Sequence, residues 1–375
     1  MKIGVIGYVL NPRSGARAAL DLAYSLRKIG HEVHFYSFSL MKDPNTLKKF
    51  ENDGIKVHLI EKSKTLFVGF FSDFYNLSKL LRKTKPDIVN THIPLSLFLA
   101  PWANGIPTAL SYHGTQFNVL DERMIEKNII TKPVNFVINI VIYLKTLISV
   151  RLATVVIGIS KYTQKEAKRL YKRIDARLIY SGNAPSEFTT QTKVYRAKNK
   201  KIKILSVSRI TPYKQFEKTI NAVRDIPNVN LTIAGSSPQS KYLKFLRSLK
   251  NQNTKILINI PDTVLAGLYK ECDIYASCDK YLFFGMPILE AATFAKPSVS
   301  LNYAAASELI SHGKTGYVAK NQKEFEKYIK ALVDSPSLRD KMGREATNWA
   351  KNFTWDKTAK NYEKIFKKIL RQKIF

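Results

Sequence analysis

Two cations five residues apart, Arg209 and Lys214, stand just after an apolar run at residues 202–207, within Ser208-Arg209-Ile210-Thr211-Pro212-Tyr213-Lys214. If that run is a strand, both emerge at its carboxyl end, where open α/β sheets receive ligands. A guanidinium offers phosphate oxygens a rigid fork and an ammonium a compact point charge, so the two could neutralise a diphosphate leaving group. In a chain this basic, position alone leaves open the plainer reading of two solvated charges.

Further on, Phe284-Gly285-Met286-Pro287-Ile288-Leu289-Glu290-Ala291 reads as a glycine turn opening a helix, with Pro287 at the favoured first position. Free N–H groups and the helix dipole favour an anion at such a start, and a glycine lets it approach closely. Phe284, Gly285, Met286, Pro287, Ile288 and Leu289 are therefore candidates for binding substrate. Glu290, one turn inside, could accept hydrogen bonds from ribose hydroxyls, or could simply complement the dipole.

His113, in Ser111-Tyr112-His113-Gly114-Thr115, and His92 both follow apolar runs, and either could be a satisfied structural residue. Gly15, opening a helix after the first loop, could bring backbone amides to a phosphate. Gly4, Gly7 and Gly15 do not form GxGxxG, which weakens a nicotinamide reading. HExxH, the P-loop lysine motif, GxSxG and an Asp-x-Asp metal pair are all missing, so Arg209 and Lys214 would stand in for a metal. No metal and no cofactor are expected.

These residues need strand ends to hold them. Apolar runs at 3–9, 31–36, 88–91, 107–112 and 153–159 alternate with helical patterns, the rhythm of βα repetition and a parallel sheet. In the helix after Ser14, Ala19, Leu22, Ala23, Leu26 and Ile29 fall at helical spacing, and Gly30 is a stop signal. A polar stretch follows Ala184-Pro185, and the rhythm restarts at 202–207, 231–234, 256–260, 274–276 and 298–301. We expect a first Rossmann-like domain over 1–185, a linker over 186–200, a second such domain over 201–355 and a final helix over 356–375. The cleft between the two sets of strand ends is where function is expected.

At 375 residues and 45% hydrophobic, the chain has room for two such cores. Sixty-one Lys and Arg against 29 Asp and Glu give a formal charge of +32, which calls for an anionic partner. The only cysteines, Cys272 and Cys278, fit neither a zinc pair nor a redox CxxC and read as small core residues of a reducing interior. Residues 3–9 read as a first strand rather than a signal peptide. The segment 134–144, interrupted by Asn135 and Asn139, falls short of the roughly 20 apolar residues a span requires.

The chain resembles the family 4 glycosyltransferases of GT-B fold along most of its length. The second half carries the resemblance through Ser208 to Lys214, Leu231-Thr232-Ile233-Ala234-Gly235, Leu268-Tyr269, Cys272-Asp273-Ile274, the Phe284–Ala291 motif, Ala295-Lys296-Pro297, Glu308-Leu309-Ile310, Gly313-Lys314-Thr315-Gly316 and Phe353-Thr354-Trp355-Asp356. The first half carries it through Gly15, Gly30-His31-Glu32-Val33, Pro86-Asp87-Ile88-Val89, His113-Gly114 and Ile159-Ser160. The resemblance implies a retaining hexosyl-type transferase that uses a nucleotide sugar of UDP or GDP type without a metal. Arg209 and Lys214 would bind the donor diphosphate, Glu290 the ribose, Gly15 the phosphate and His113 the transferred sugar. The last helix would cross back to the first domain.

Two departures stand out. The family usually has two glutamates separated by seven residues, but the position eight before Glu290 is Leu282. Asp279 is the nearest carboxylate that could take that role. Ala304-Ala305-Ala306-Ser307 stands where a glycine pair is common.

Positive charge is concentrated at residues 161–177, seven basic against two acidic, and at 357–373, seven against one. With the apolar, aromatic segments 66–81 and 134–148, this predicts peripheral binding to an anionic membrane, at the inner face of the cytoplasmic membrane, and a lipid-linked or membrane-associated glycan as acceptor. The competing readings are a catalytically silent partner subunit, a sugar-nucleotide epimerase of the same fold, and a basic nucleic-acid-binding protein. No helix-turn-helix, zinc finger or aromatic RNP pattern supports the last, and no nucleic acid is expected.

Overall fold

The computed structural model describes residues 1–10, 17–38, 44–61, 66–92, 96–114, 132–183, 201–237 and 240–372. They form two compact α/β units; of the described residues the first takes those within 1–117, 137–182 and 354–375, and the second those within 118–136 and 183–353. The expected linker, 186–200, lies outside the described residues.

In the first unit seven parallel strands form one sheet: β1 (Lys2–Val9), β2 (Glu32–Phe38), β3 (Lys56–Ile60), β4 (Ile88–Thr91), β5 (Thr108–Tyr112), β6 (Val155–Gly158) and β7 (Arg177–Leu178). Their order, β3-β2-β1-β4-β5-β6-β7, is doubly wound, with the switch point between β1 and β4. Among the described residues six helices intervene: α1 (Arg17–Lys28), α2 (Pro44–Asn52), α3 (Leu66–Thr84), α4 (Ser96–Ala103), α5 (Lys132–Leu152) and α6 (Lys161–Tyr171).

Strand alternation sorts these helices onto two faces. Ile3 and Val5 of β1 with Val155 and Ile157 of β6 pack with α1, whose Ala19, Leu22, Ala23 and Leu26 are buried as their spacing requires. Ile6 packs with α3 and α4 on the opposite face, and Leu110, Tyr112 and Val156 pack with α5 and α6. Gly30, in the left-handed region at φ +93°, ends the first helical stretch. Ser160 caps α6 by accepting the Thr163 N–H at 3.1 Å while Thr163 Oγ1 accepts the Ser160 N–H at 3.0 Å, a reciprocal pair that fixes the turn out of β6.

The second unit repeats the plan with β8 (Ile202–Val207), β9 (Val229–Gly235), β10 (Thr254–Ile258), β11 (Ile274–Ser277), β12 (Ser298–Leu301) and β13 (Gly316–Ala319), all parallel, in the order β10-β9-β8-β11-β12-β13. The switch point falls between β8 and β11. Helices α7 (Phe216–Val223), α8 (Ser240–Leu249), α9 (Asp262–Glu271), α10 (Met286–Thr293), α11 (Ala306–Leu309), α12 (Gln322–Asp334) and α13 (Pro336–Ala350) cover its faces. Both cysteines are buried in this unit and form no disulfide, and burial pushes the Cys278 thiol up to about 12.

The last helix, α14 (Trp355–Gln372), belongs to the first unit. Thr354 caps it by accepting the Lys357 N–H, and the helix begins one residue before the expected 356. Its apolar stripe, Trp355, Ala359, Tyr362 and Phe366, packs with α1, and Tyr362 Oη lies 2.7 Å from Ser111 Oγ at the end of β5. Phe366 is fully buried, and truncating it to Ala would cost about 3–5 kcal/mol.

Candidate functional site

Arg209 and Lys214 sit in the loop leaving β8, and backbone bonds hold that loop from both sides. Ile210 donates to the Ser236 carbonyl at 2.7 Å, beyond β9, and the Tyr213 carbonyl accepts from Lys280 at 3.1 Å, beyond β11. A Cβ at Gly235 would lie 1.8 Å from the Ser208 carbonyl oxygen, so only glycine lets the loop pass there. Pro212, Tyr213 and Lys214 form one 3₁₀ turn, closed by Gln215 in the left-handed region. The two predicted cations therefore meet the switch point of the sheet.

They are held differently. Arg209 is exposed. Lys214 is only 14% exposed in its side chain, and its ammonium donates to Asp279 Oδ2 at 2.5 Å; the Asp279 side chain is 7% exposed. The other Asp279 oxygen accepts the Tyr281 N–H at 3.0 Å. A charge pair this shielded persists because each partner would be costly to leave alone. Asp279 thus orients Lys214, and the position expected for a sugar-facing glutamate is different: Leu282 is buried, with its Cδ1 2.8 Å from where a Cβ on Gly285 would stand. A glutamate at 282 would have to enter an apolar pocket.

Gly285 has φ +91° and precedes α10, the conformation a non-glycine residue resists. Pro287 is the second residue of that helix, one later than the favoured position expected from sequence, and Met286 and Pro287 are half-buried. Phe284, Ile288 and Leu289 are buried: Phe284 meets Phe353 edge to face, and the other two enter the helix core. Their side chains build the turn, and what the segment can present to a ligand is backbone. Glu290 is 3% exposed and accepts the Tyr269 hydroxyl hydrogen at 2.7 Å. Burial, and then the neighbouring Glu290, push the Tyr269 phenol far above its ordinary range, so it stays a donor.

In the first unit the two strand-end histidines meet. His92 Nδ1 lies 2.8 Å from His113 Nε2, with ring centroids 5.0 Å apart. Burial lowers both, His113 to about 4, so at neutral pH the contact joins two uncharged imidazoles by one N–H···N bond. Gly15 lies outside the described residues.

Tyr269 and His92 were therefore the residues that sequence reasoning left without a role, and Asp279, expected in place of the missing glutamate, is instead paired with Lys214. Each partners a predicted residue across 21 to 65 positions, and only strand order brings such pairs together. Leu268-Tyr269 belonged to the family pattern, and His92 matched His113 in placement; those were the available signals. Among the described residues no group of three or more His, Cys, Asp or Glu could hold a metal ion, and no helix is long and apolar enough to cross a membrane.

The chain matches the family model "Glycosyltransferase Family 4" over residues 15–185 and "Glycosyl transferases group 1" over residues 187–349. It is 28% identical over 209 residues to an uncharacterized glycosyltransferase of Methanocaldococcus jannaschii, spanning 52% of this chain and 53% of that protein. It is 23% identical over 390 aligned residues to the N-acetyl-alpha-D-glucosaminyl L-malate synthase of Bacillus anthracis, covering 99% and 98% of the two chains. Its fold is similar to that of Anabaena HepE crystallised with UDP-glucose, at TM-score 0.75 and 16% identity, over 98% of this chain and all of that one.

Proposed function

The chain belongs to the family 4 glycosyltransferases of GT-B fold, and from that premise we propose that it moves a hexosyl group from a UDP- or GDP-type sugar to an acceptor with retention and without a metal or other cofactor. The observation that carries this reading is the loop after β8, where Arg209 is presented and Lys214 is braced by Asp279 at the switch point of the sheet. Fixed positive charge at a strand end suits a leaving diphosphate, because nothing needs to reorganise as the anomeric bond breaks.

In this reading Arg209 and Lys214 neutralise the diphosphate as it departs with the bonding electrons. The acceptor hydroxyl attacks the same face and passes its proton to the departing phosphate oxygen, which carries the electron pair of the broken bond. Glu290, oriented by Tyr269, addresses the ribose. His113, held neutral beside His92, addresses the transferred sugar without adding charge, and Gly15 addresses the phosphate. The acceptor is a lipid-linked or membrane-associated glycan, met at the inner face of the cytoplasmic membrane.

Sugar-labelled UDP-glucose and GDP-mannose, with and without a membrane glycolipid extract, test the reading. Label is expected to reach the extract's glycolipid fraction, dependent on both extract and Lys214. Label that stays on the nucleotide as a different sugar would make the protein an epimerase. Salt-sensitive duplex binding with no donor turnover would favour the nucleic-acid reading.

A further inference from the structure

Helix α5 carries apolar residues on its outer side as well as its inner one. Its described side chains place Val137, Ile140, Val141, Leu144 and Ile148 in one stripe about three turns long, and every one of them is exposed, Val137 at 58% and Leu144 at 47%. The inward side is mixed: Val150 is buried in the core with Tyr143, Leu147 and Leu152 packed against it, and Asn139 and Ser149 are buried as well. An ordinary surface helix places its apolar stripe toward the core. A continuous exposed stripe of this size marks a surface made for an apolar partner.

Charge selects among partners. Lys145 and Arg151 are exposed on α5 beside the stripe. Helix α6 lies alongside, joined by the Tyr143–Tyr171 stack, and turns Lys165, Lys168 and Arg169 to solvent. A second copy would bring the same cations against these, in a chain already at +32. An anionic bilayer supplies both hydrocarbon for the stripe and headgroups for its flanks.

We propose that α5 lies in the plane of an anionic membrane with this stripe in the acyl boundary and the α5 and α6 cations among the headgroups. The proposal deepens the membrane reading given above and rests on it. It also separates the two cationic stretches of the sequence. Those of α14 belong to the helix that covers the other face of the sheet, so a flat bilayer that receives α5 leaves α14 in water.

The full chain, floated with vesicles of phosphatidylglycerol and phosphatidylcholine, tests this. Binding is expected at low salt and at least tenfold weaker partition for Ile140→Glu/Leu144→Glu, whose melting temperature should stay at the wild-type value because both sites are exposed. Leu144→Trp should show blue-shifted emission, relative to wild type, and quenching by brominated acyl chains; Lys364→Trp on α14 should show neither. Absence of vesicle binding, binding without quenching at position 144, or quenching at position 364 would overturn the proposal. So would a concentration-dependent dimer dispersed by the double substitution, which would assign the stripe to a second copy. UDP-glucose calorimetry without vesicles reads the transferase proposal separately, so either can fail alone.

Discussion

The two units share one topology and hold their strand-end residues by opposite means. In the second, two of the proposed site residues are charged and braced by a buried partner, Lys214 by Asp279 and Glu290 by Tyr269, while Arg209 is exposed. In the first, the strand ends carry His92 and His113, an imidazole pair kept neutral by burial, and the neighbouring surface is an apolar helix stripe. The difference teaches that a repeated fold need not repeat its chemistry. A fixed positive field suits a phosphorylated donor, whereas an uncharged pair and an apolar flank suit a sugar and its lipid-borne acceptor.

The comparison breaks first at Lys214. Lys214→Ala removes one half of a shielded pair and the ammonium assigned to the diphosphate, and is expected to lower transfer by about 10²–10³-fold. Lys214→Arg should recover part of it, as measured by label reaching the glycolipid fraction. A drop of less than threefold for Lys214→Ala would move the charge-bearing role elsewhere.

Backbone conformation gives a smaller effect. Gly285→Ala places a side chain at φ +91° and 2.8 Å from Leu282, at a cost of about 1–2 kcal/mol for the conformation alone. Calorimetric melting should fall by roughly 2–8 °C. Tyr269→Phe leaves Glu290 without the Tyr269 hydroxyl and should cost about 1–3 kcal/mol in urea unfolding, with ribose recognition weakened.

The subtlest test sharpens the contrast in the first unit. Burial lowers His113 to about 4 and His92 well below its ordinary value near 6.5, so the unfolded chain binds protons in this window that the folded one refuses. Their contribution is constant above about 6.5 and becomes destabilising as the pH falls toward 4. A melting series over that range should decline less steeply for His92→Asn/His113→Asn than for wild type. His31, His34 and His58 are lowered in the same direction, so the informative quantity is the difference between the two series.

Much of this arrangement was legible in the residues. The 3.6-residue spacing in α1 and the apolar runs placed the strands, and Arg209, Lys214 and Gly285 emerged where strand ends and a glycine turn predicted them. The partners were not legible, since nothing local ties Lys214 to Asp279 or His92 to His113; their proximity comes from β8 lying beside β11 and β4 beside β5. Phe284, Ile288 and Leu289 read as ligand-lining because a motif does not reveal which of its side chains turn inward. The exposed stripe of α5 was hidden for a related reason: its composition is apolar all round, and only packing shows which stripe the protein leaves uncovered.

The central claim is that the second unit binds a nucleotide sugar through Arg209, Lys214 and Glu290. Calorimetric titration of UDP-, GDP- and ADP-sugars into wild type and into Arg209→Ala, Lys214→Ala and Glu290→Ala tests it most directly. One nucleotide sugar should bind the wild type and be lost in variants that still melt cooperatively. A well-folded wild type that binds none of them, or variants that bind as tightly as wild type, would contradict the account.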